Sequence, residues 1–273
     1  MTGWEQLAEG IFRRRYASLD LNIGLVIGAE GVVVIDTRAS LVQAGELIDH
    51  IGELTVTPVT HVVDTHWHWD HTFGNGAFPD APVWGHSECR RLLAEQGEQG
   101  RRRAIGSMPE HRAEIEAVEI RLPDRVFVER DAIDLGDRVV ELRFLGKGHT
   151  EGDIVVTVSG GGGDAGVVFA GDLLEEGAPP MFGDAYPVAW PDTVAAVAAL
   201  GATTAVPGHG DVMDPAAVAT QLDELRSVAA LVVRTHTEGG DPDRVGLEGS
   251  PYPEATMRQA LARGMIELGP TPV

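Results

Sequence analysis

The run His66-Trp67-His68-Trp69-Asp70-His71 packs three imidazoles and a carboxylate into six residues. Both groups are good ligands for zinc, and a catalytic zinc keeps one coordination position open for water. The run follows His61-Val62-Val63, which reads as a buried strand. Its histidines therefore leave the interior, unlike a surface cluster or a tag-like accident at a terminus. Along extended backbone alternate side chains face the same side, so His66, His68 and Asp70 are expected to converge. His71 breaks the alternation and predicts a turn that swings its ring toward a second centre. Trp67 and Trp69 fit a partly buried segment, chiefly as core packing.

Three further segments share one look, a strand running into a polar residue bracketed by glycine. They are Phe144–Asp153 with Gly148-His149, Val168–Asp172 ending in Gly171-Asp172, and Ala205–Asp211 with Gly208-His209-Gly210. A lone Gly-His or Gly-Asp is usually a turn. Joined to the first run, they bring the candidate ligands to seven: His66, His68, Asp70, His71, His149, Asp172 and His209. One zinc needs fewer, and two metals sharing an oxygen would use them all.

The rest of the chain supplies strands and helices around these pieces. Asn22–Ile27 and Val32–Ile35 form a hairpin pattern around Gly28–Gly31. Ser40 is a candidate N-cap for a helix carrying Leu41, Leu47, Ile48 and Ile51. Val83-Trp84 reads as a strand, and Ser87 as the cap of a helix through Leu93. From 96 to 119 the pattern is broken by Gly97, Gly100, Gly106 and Pro109 around the basic run Arg101-Arg102-Arg103. That stretch reads as an irregular connection or a mobile cover, a candidate lid. Strands follow at Arg125–Val128, Val139–Phe144, Ile154–Val158 and Val167–Ala170, with a flexible turn at Gly160–Gly163. Helices are expected at Asp192–Leu200 and Pro215–Thr235, with Val206 closing a strand between them. No repeat, low-complexity tract or linker stands out. A chain of 273 residues suffices for one large α/β domain. Strands in each half with helices interspersed predict two packed sheets with helices outside.

Charge narrows the function. With 42 acidic against 21 basic residues the net charge is −21, a field that repels nucleic acid and anionic membrane surfaces. No apolar run approaches a membrane span. Met1–Tyr16 has no apolar h-region, and the single Cys89 rules out an internal disulfide. These features predict a soluble cytoplasmic protein acting on a small molecule, with neither nucleic acid nor membrane as partner. Cys89 itself is expected to be a small buried residue.

From Ile35-Asp36-Thr37 to His209 the chain resembles the metallo-β-lactamase superfamily, on the six-residue run and on its order with His149, Asp172 and His209. The resemblance implies an αββα sandwich over residues 1–273 as a single domain, with the metals at one edge of two sheets. It implies that His66, His68 and His149 hold a first metal, that Asp70, His71 and His209 hold a second, and that Asp172 bridges them. Zinc β-lactamases with a cysteine ligand carry it where this chain has Asp172, so the likeness leans toward the glyoxalase II, lactonase and phosphodiesterase branches. Diiron flavoprotein relatives carry a glutamate at the position of His68, which favours two zinc ions here. The β-CASP nucleases carry a large inserted domain, for which there is no room.

The expected chemistry is hydrolysis of a small carbonyl substrate, a lactam, lactone or thioester. A hydroxide bridging two metals would attack, since such ions lower the pKa of bound water to about 7. Asp70 would orient that hydroxide. Lys147 is a candidate contact for a substrate carboxylate, and Asn75 a candidate oxyanion donor. A solvated loop lysine and a turn asparagine are the plain alternatives. His61 and His86 read as orienting or packing residues. Two other readings stay open. One is a mononuclear Fe2+ persulfide dioxygenase using His66, His149 and Asp172. The other is a non-catalytic binding protein on the same scaffold, against which the full ligand set argues.

Overall fold

The computed structural model describes residues 3–160 and 166–270. The chain begins with strands β1 (Glu5–Ala8), β2 (Ile11–Tyr16), β3 (Leu21–Ile27) and β4 (Val32–Ile35), then helix α1 (Leu41–Leu54) and β5 (Val59–Val63). A single helical turn α2 (Trp69–Thr72) precedes β6 (Val83–His86), α3 (Ser87–Ser107) and α4 (Arg112–Glu116). Next come β7 (Arg125–Phe127), β8 (Arg130–Asp134), β9 (Arg138–Phe144), β10 (Ile154–Gly160) and β11 (Val167–Glu175). The chain closes with α5 (Trp190–Ala198), β12 (Thr204–His209), α6 (Pro215–Thr237) and α7 (Glu254–Leu268). No helix among the described residues is long and apolar enough to cross a membrane.

Strand order runs β7-β6-β5-β4-β3 and continues β12-β11-β10-β9-β8, with β2 paired to β3 and β1 paired to β2. The two runs are two sheets joined at a narrow seam, the single register pair His209↔Leu21. Their facing sides make one core: Val26, Val33, Ile35 and Val63 of the first sheet meet Val140, Leu142, Val156 and Phe169 of the second. The outer face of the first sheet packs Ile23, Leu25 and Val34 against Leu47 and Ile51 of α1. The outer face of the second packs Val155, Val168 and Ala170 against α5, α6 and α7 through Trp190, Leu225 and Leu261. The result is the four-layer αββα sandwich. Every residue of β4 and β11 is buried, as in strands covered on both faces. Ser40 and Asp214 cap α1 and α6 by accepting from the amides of Gln43 and Ala217.

The stretch from 96 to 119 corrects the sequence reading. It is not irregular: α3 continues unbroken to Ser107, and its N-cap is His86, with Ser87 as the first helical residue. Gly97 faces Ile120, and Gly100 faces Trp67, Trp69 and Phe73, so these glycines are close-packing positions and not breaks. Arg101 donates to the carbonyls of Ile115 and Val118 and lies over the Phe73 ring. Beyond Gly160, the turn expected at Gly160–Gly163 lies outside the described residues. Strands β1, β2 and β8 and helix α7 are additions to the elements expected from sequence.

Gly74 ties the loop after β4 to α2. A Cβ there would stand 1.9 Å from the Thr37 carbonyl oxygen, whereas one on Gly45 in α1 would meet nothing within 4 Å. Gly74→Ala should therefore cost about 1–3 kcal/mol. Gly45→Ala should gain about 0.5–1 kcal/mol from helix propensity alone. Urea denaturation of the two variants checks both signs.

Candidate metal centre

The seven candidate ligands meet at the seam between the sheets. Asp172 lies within β11 and His209 ends β12. His66 and His68 follow β5, Asp70 and His71 sit on α2, and His149 lies in the loop before β10. They form two groups. The ligand atoms of His66, His68, His149 and Asp172 lie within 4.8 Å of one another, as do those of Asp70, His71 and His209. Asp172 faces both groups: its Oδ2 is 3.3 Å from His149 Nε2 and 3.7 Å from His66 Nε2, while its Oδ1 is 3.2 Å from His71 Nε2. His209 Nε2 lies 3.5 Å from Asp172 and 3.4 Å from Asp70.

The expected alternation holds only as far as His68. Backbone turns helical at Trp69, so Asp70 leaves His66 and His68 and joins His71 in the second group. Four residues of helix thus split one run of ligands between two centres.

Several contacts are ones that a cation between them would satisfy. His68 Nδ1 is 2.8 Å from His149 Nε2, and His71 Nε2 is 3.4 Å from His209 Nε2. Nitrogen facing nitrogen needs a proton or a metal to hold it. His66 Nε2 and Asp172 Oδ1 are buried without a hydrogen bond, and such orphans cost about 1–3 kcal/mol each. Imidazole and carboxylate donors at both groups fit a pair of divalent cations.

Electrostatics divides the ligands, and within the first group, against burial, Asp184 raises His68. Burial, added to the neighbouring imidazoles, holds His66 well below the ordinary histidine value. Burial also pulls His149 down to about 4. For His71 and His209, burial opposes the proton, but Asp172 and the other carboxylates outweigh it and hold both pKa values well above normal. Burial would raise Asp172, yet the surrounding histidines, His71 first, pull it well below the usual carboxylate range.

Outer contacts fix the rings. His71 Nδ1 pairs with Asp36 Oδ2 at 2.8 Å, and His209 Nδ1 with the Leu19 carbonyl at 2.8 Å. His66 Nδ1 lies 3.1 Å from Thr65 Oγ1, and His68 Nε2 3.1 Å from Asp184 Oδ1. Asp184 also accepts from the Trp67 indole at 3.1 Å. Such partners set the tautomer and aim of a metal-binding histidine. Leu19, Asp20 and Asp36 all adopt left-handed backbone, with φ of 63°, 59° and 65°. Strained φ values of this kind gather where function fixes the chain.

The groups open into a cavity of about 690 Å³, walled in part by Trp69, Glu175, Glu176, Met181, Asp184 and Arg103 of α3. The two substrate contacts expected from sequence are not there. Lys147 is bound to Glu151 at 2.6 Å and lies over the Tyr186 ring, away from the cavity wall. Asn75 is 0% exposed. Its amide donates to Asp64 and the Arg121 carbonyl and accepts from Thr37 Oγ1, so it braces the turn and has nothing left for an oxyanion. His86 caps α3 and stacks on Phe144, and His61 packs against Trp84. Cys89 is buried beside Trp67 in the core under α3. Asp36, Asp184 and Glu175 are site residues that sequence reasoning missed. Only Asp36 carried a signal, as the polar end of a buried strand.

The metallo-β-lactamase superfamily profile matches residues 19–240, so the chain belongs to that superfamily. Its fold and metal-binding clusters are those of a metal-dependent enzyme of the group. Among solved structures it is similar to a metallo-β-lactamase from Pontibacter korlensis, at 22% identity and a TM-score of 0.66, covering 82% of this chain and 98% of that one. TMB-1 is similar at 19% identity and a TM-score of 0.64, over 83% and 97% of the two chains. The DIM-1 metallo-β-lactamase is similar at 19% and 0.64, over 82% and 96%. No curated protein matches the sequence.

Raised pKa values favour the protonated forms of both His71 and His209 in the second group, against His68 alone in the first, and a metal must displace such protons. Lowered values mean that His66 and His149 are already free bases. As pH falls, the second group should lose its metal first. Zinc titration near pH 7 in buffers of different ionisation enthalpy should show more protons released by the second equivalent than by the first. Equal release would contradict the assignment. Cys89→Ser should leave both equivalents in place.

Proposed function

We propose that this protein is a zinc-dependent hydrolase of a small carbonyl substrate, a lactam, lactone or thioester. The observation that carries the reading is Asp172, whose carboxylate lies against both histidine groups, Oδ2 beside His149 and His209 and Oδ1 beside His71. His66, His68 and His149 would hold one cation, Asp70, His71 and His209 the other, and Asp172 would be shared. When bound, a pair of divalent cations lowers the pKa of water to about 7 and polarises a carbonyl.

The chain's own side chains do the rest. Asp70 reaches both His71 and His209 and lines the cavity, where its carboxylate would orient the attacking water. Asp36 and Asp184 keep His71 and His68 aimed inward. Trp69 and α3 shape a cavity of small-molecule size. A net charge of −21 disfavours polynucleotides, whose binding draws on lysine and arginine. The likeness to metallo-β-lactamases makes lactams one class to test. Lys147 is held by Glu151 and is not on the cavity wall, so a lactam carboxylate would have Arg103 as its basic partner there.

Elemental analysis of the purified protein should give about two zinc ions per chain, the number its two ligand groups can hold. One iron and little zinc would overturn the reading in favour of a persulfide dioxygenase. A hydrolysis panel of lactams, lactones, thioesters, phosphodiesters and single-stranded RNA should show turnover of a carbonyl substrate and none of RNA. Asp70→Asn should keep the fold and lower kcat about 10–100-fold. Unchanged turnover would remove Asp70 from the mechanism.

A further inference from the structure

Glu175 stands three residues beyond Asp172 on β11 and lines the same cavity. It is only 9% exposed, and its carboxylate makes no hydrogen bond or salt bridge among the described residues. Its backbone is anchored, with the amide donating to Gln221 Oε1 at 3.1 Å. The carboxylate lies within 4.8 Å of the ligand atoms of Asp172 and His209. Asp184, on the same wall, has the His68 ring and the Trp67 indole as hydrogen-bond partners. Glu175 has no such bond, and its oxygens are not among the buried polar atoms cut off from solvent, so beside His209 they are open to a group in the cavity.

We propose that Glu175 binds an ammonium group of the substrate, so that the site prefers cationic carbonyl substrates to carboxylate-bearing ones. The inference rests on the hydrolase reading for the reacting carbonyl, but not for where the cation binds.

Three observations on the cavity support a cation. Asp20, Glu176 and Asp184 also line the wall, and Arg103, exposed on α3, is the sole lysine or arginine among its described residues. Two divalent ions would bring four positive charges. The wall's six carboxylates, Asp20, Asp70, Asp172, Glu175, Glu176 and Asp184, offset these and Arg103, so the loaded site would be near neutral and not a trap for anions. Trp69 belongs to the same wall, and an indole face is the best aromatic partner for an ammonium. The field of the whole chain, at −21, draws cations in.

The test is calorimetric titration of the zinc-loaded protein with benzyltrimethylammonium and with benzyl alcohol. The first is cationic and offers no lone pair to a metal; the second is neutral. Benzyltrimethylammonium should bind about tenfold more tightly. Glu175→Gln should lower that preference several-fold while keeping its zinc and its affinity for benzyl alcohol. Equal binding of the two probes by the unmodified protein overturns the proposal, whether or not the variant folds. So does a preference undiminished in Glu175→Gln. Loss of one zinc equivalent in that variant, with both probes binding as before, would make Glu175 a metal ligand and also overturn it. Hydrolysis of no carbonyl substrate would refute the proposed function and leave this binding result standing by itself.

Discussion

Five imidazoles and two carboxylates crowd together at the joint of two sheets, and without positive charge between them they work against one another. Carboxylates raise His71 and His209, while burial lowers His66 and His149. Nitrogens point at nitrogens, and one oxygen of Asp172 is buried with no hydrogen bond. A fold that tolerates this carries the cost elsewhere, because each orphaned polar atom subtracts from a stability of only about 5–15 kcal/mol. The compensating term is a large apolar core on both faces of both sheets. Divalent cations would turn the same arrangement from a liability into a net gain, since binding to the folded state alone stabilises it.

The geometry of the joint explains why the cluster forms there. The sheets touch through one register pair, so neighbouring strand ends splay and leave a cleft. β4, β5 and β12 deliver Asp36, the histidine run and His209 to that cleft, and β11 carries Asp172 into it. The backbone bends sharply where it must. Left-handed residues at Leu19, Asp20 and Asp36 aim a carbonyl and a carboxylate at the outer nitrogens of His209 and His71. Strain of this sort costs about 1–3 kcal/mol per residue and persists only where surrounding contacts fix it.

Much of this was legible in the sequence because the relevant signals are local. The histidine run, the Gly-bracketed ligands, the β3–β4 hairpin and the Ser40 cap each rest on a few adjacent residues. What stayed hidden depends on partners far along the chain. The charged strand β2 reads as surface, but Arg13 is buried because Glu5 and Asp211 pair with it and Asn22 accepts from it. Glycines in α3 read as breaks, but the helix runs through them, and at Gly97 a Cβ would stand 2.8 Å from the Ile120 side chain. Asn75 and Lys147 sat close to ligands in sequence, yet Asp64 and Glu151 engage them first.

Asp184 and Glu175 show how a single cavity can use one chemical group in two ways. Both are carboxylates on the wall beside the ligands, Glu175 buried and Asp184 half-buried. Asp184 is pulled well below the usual range, against burial, by the His68 ring it contacts. Its charge is thereby committed inside the protein, and it acts on substrate only through the aim of that ring. Glu175 is pushed the other way, by burial and then by Asp172, and His209 and His71 offset this only in part. The protein thus uses one carboxylate for positioning, while the other lines the open cavity with no hydrogen bond to its carboxylate among the described residues. A cation entering the cavity would favour its charged form, as the imidazoles around Asp172 favour that of Asp172.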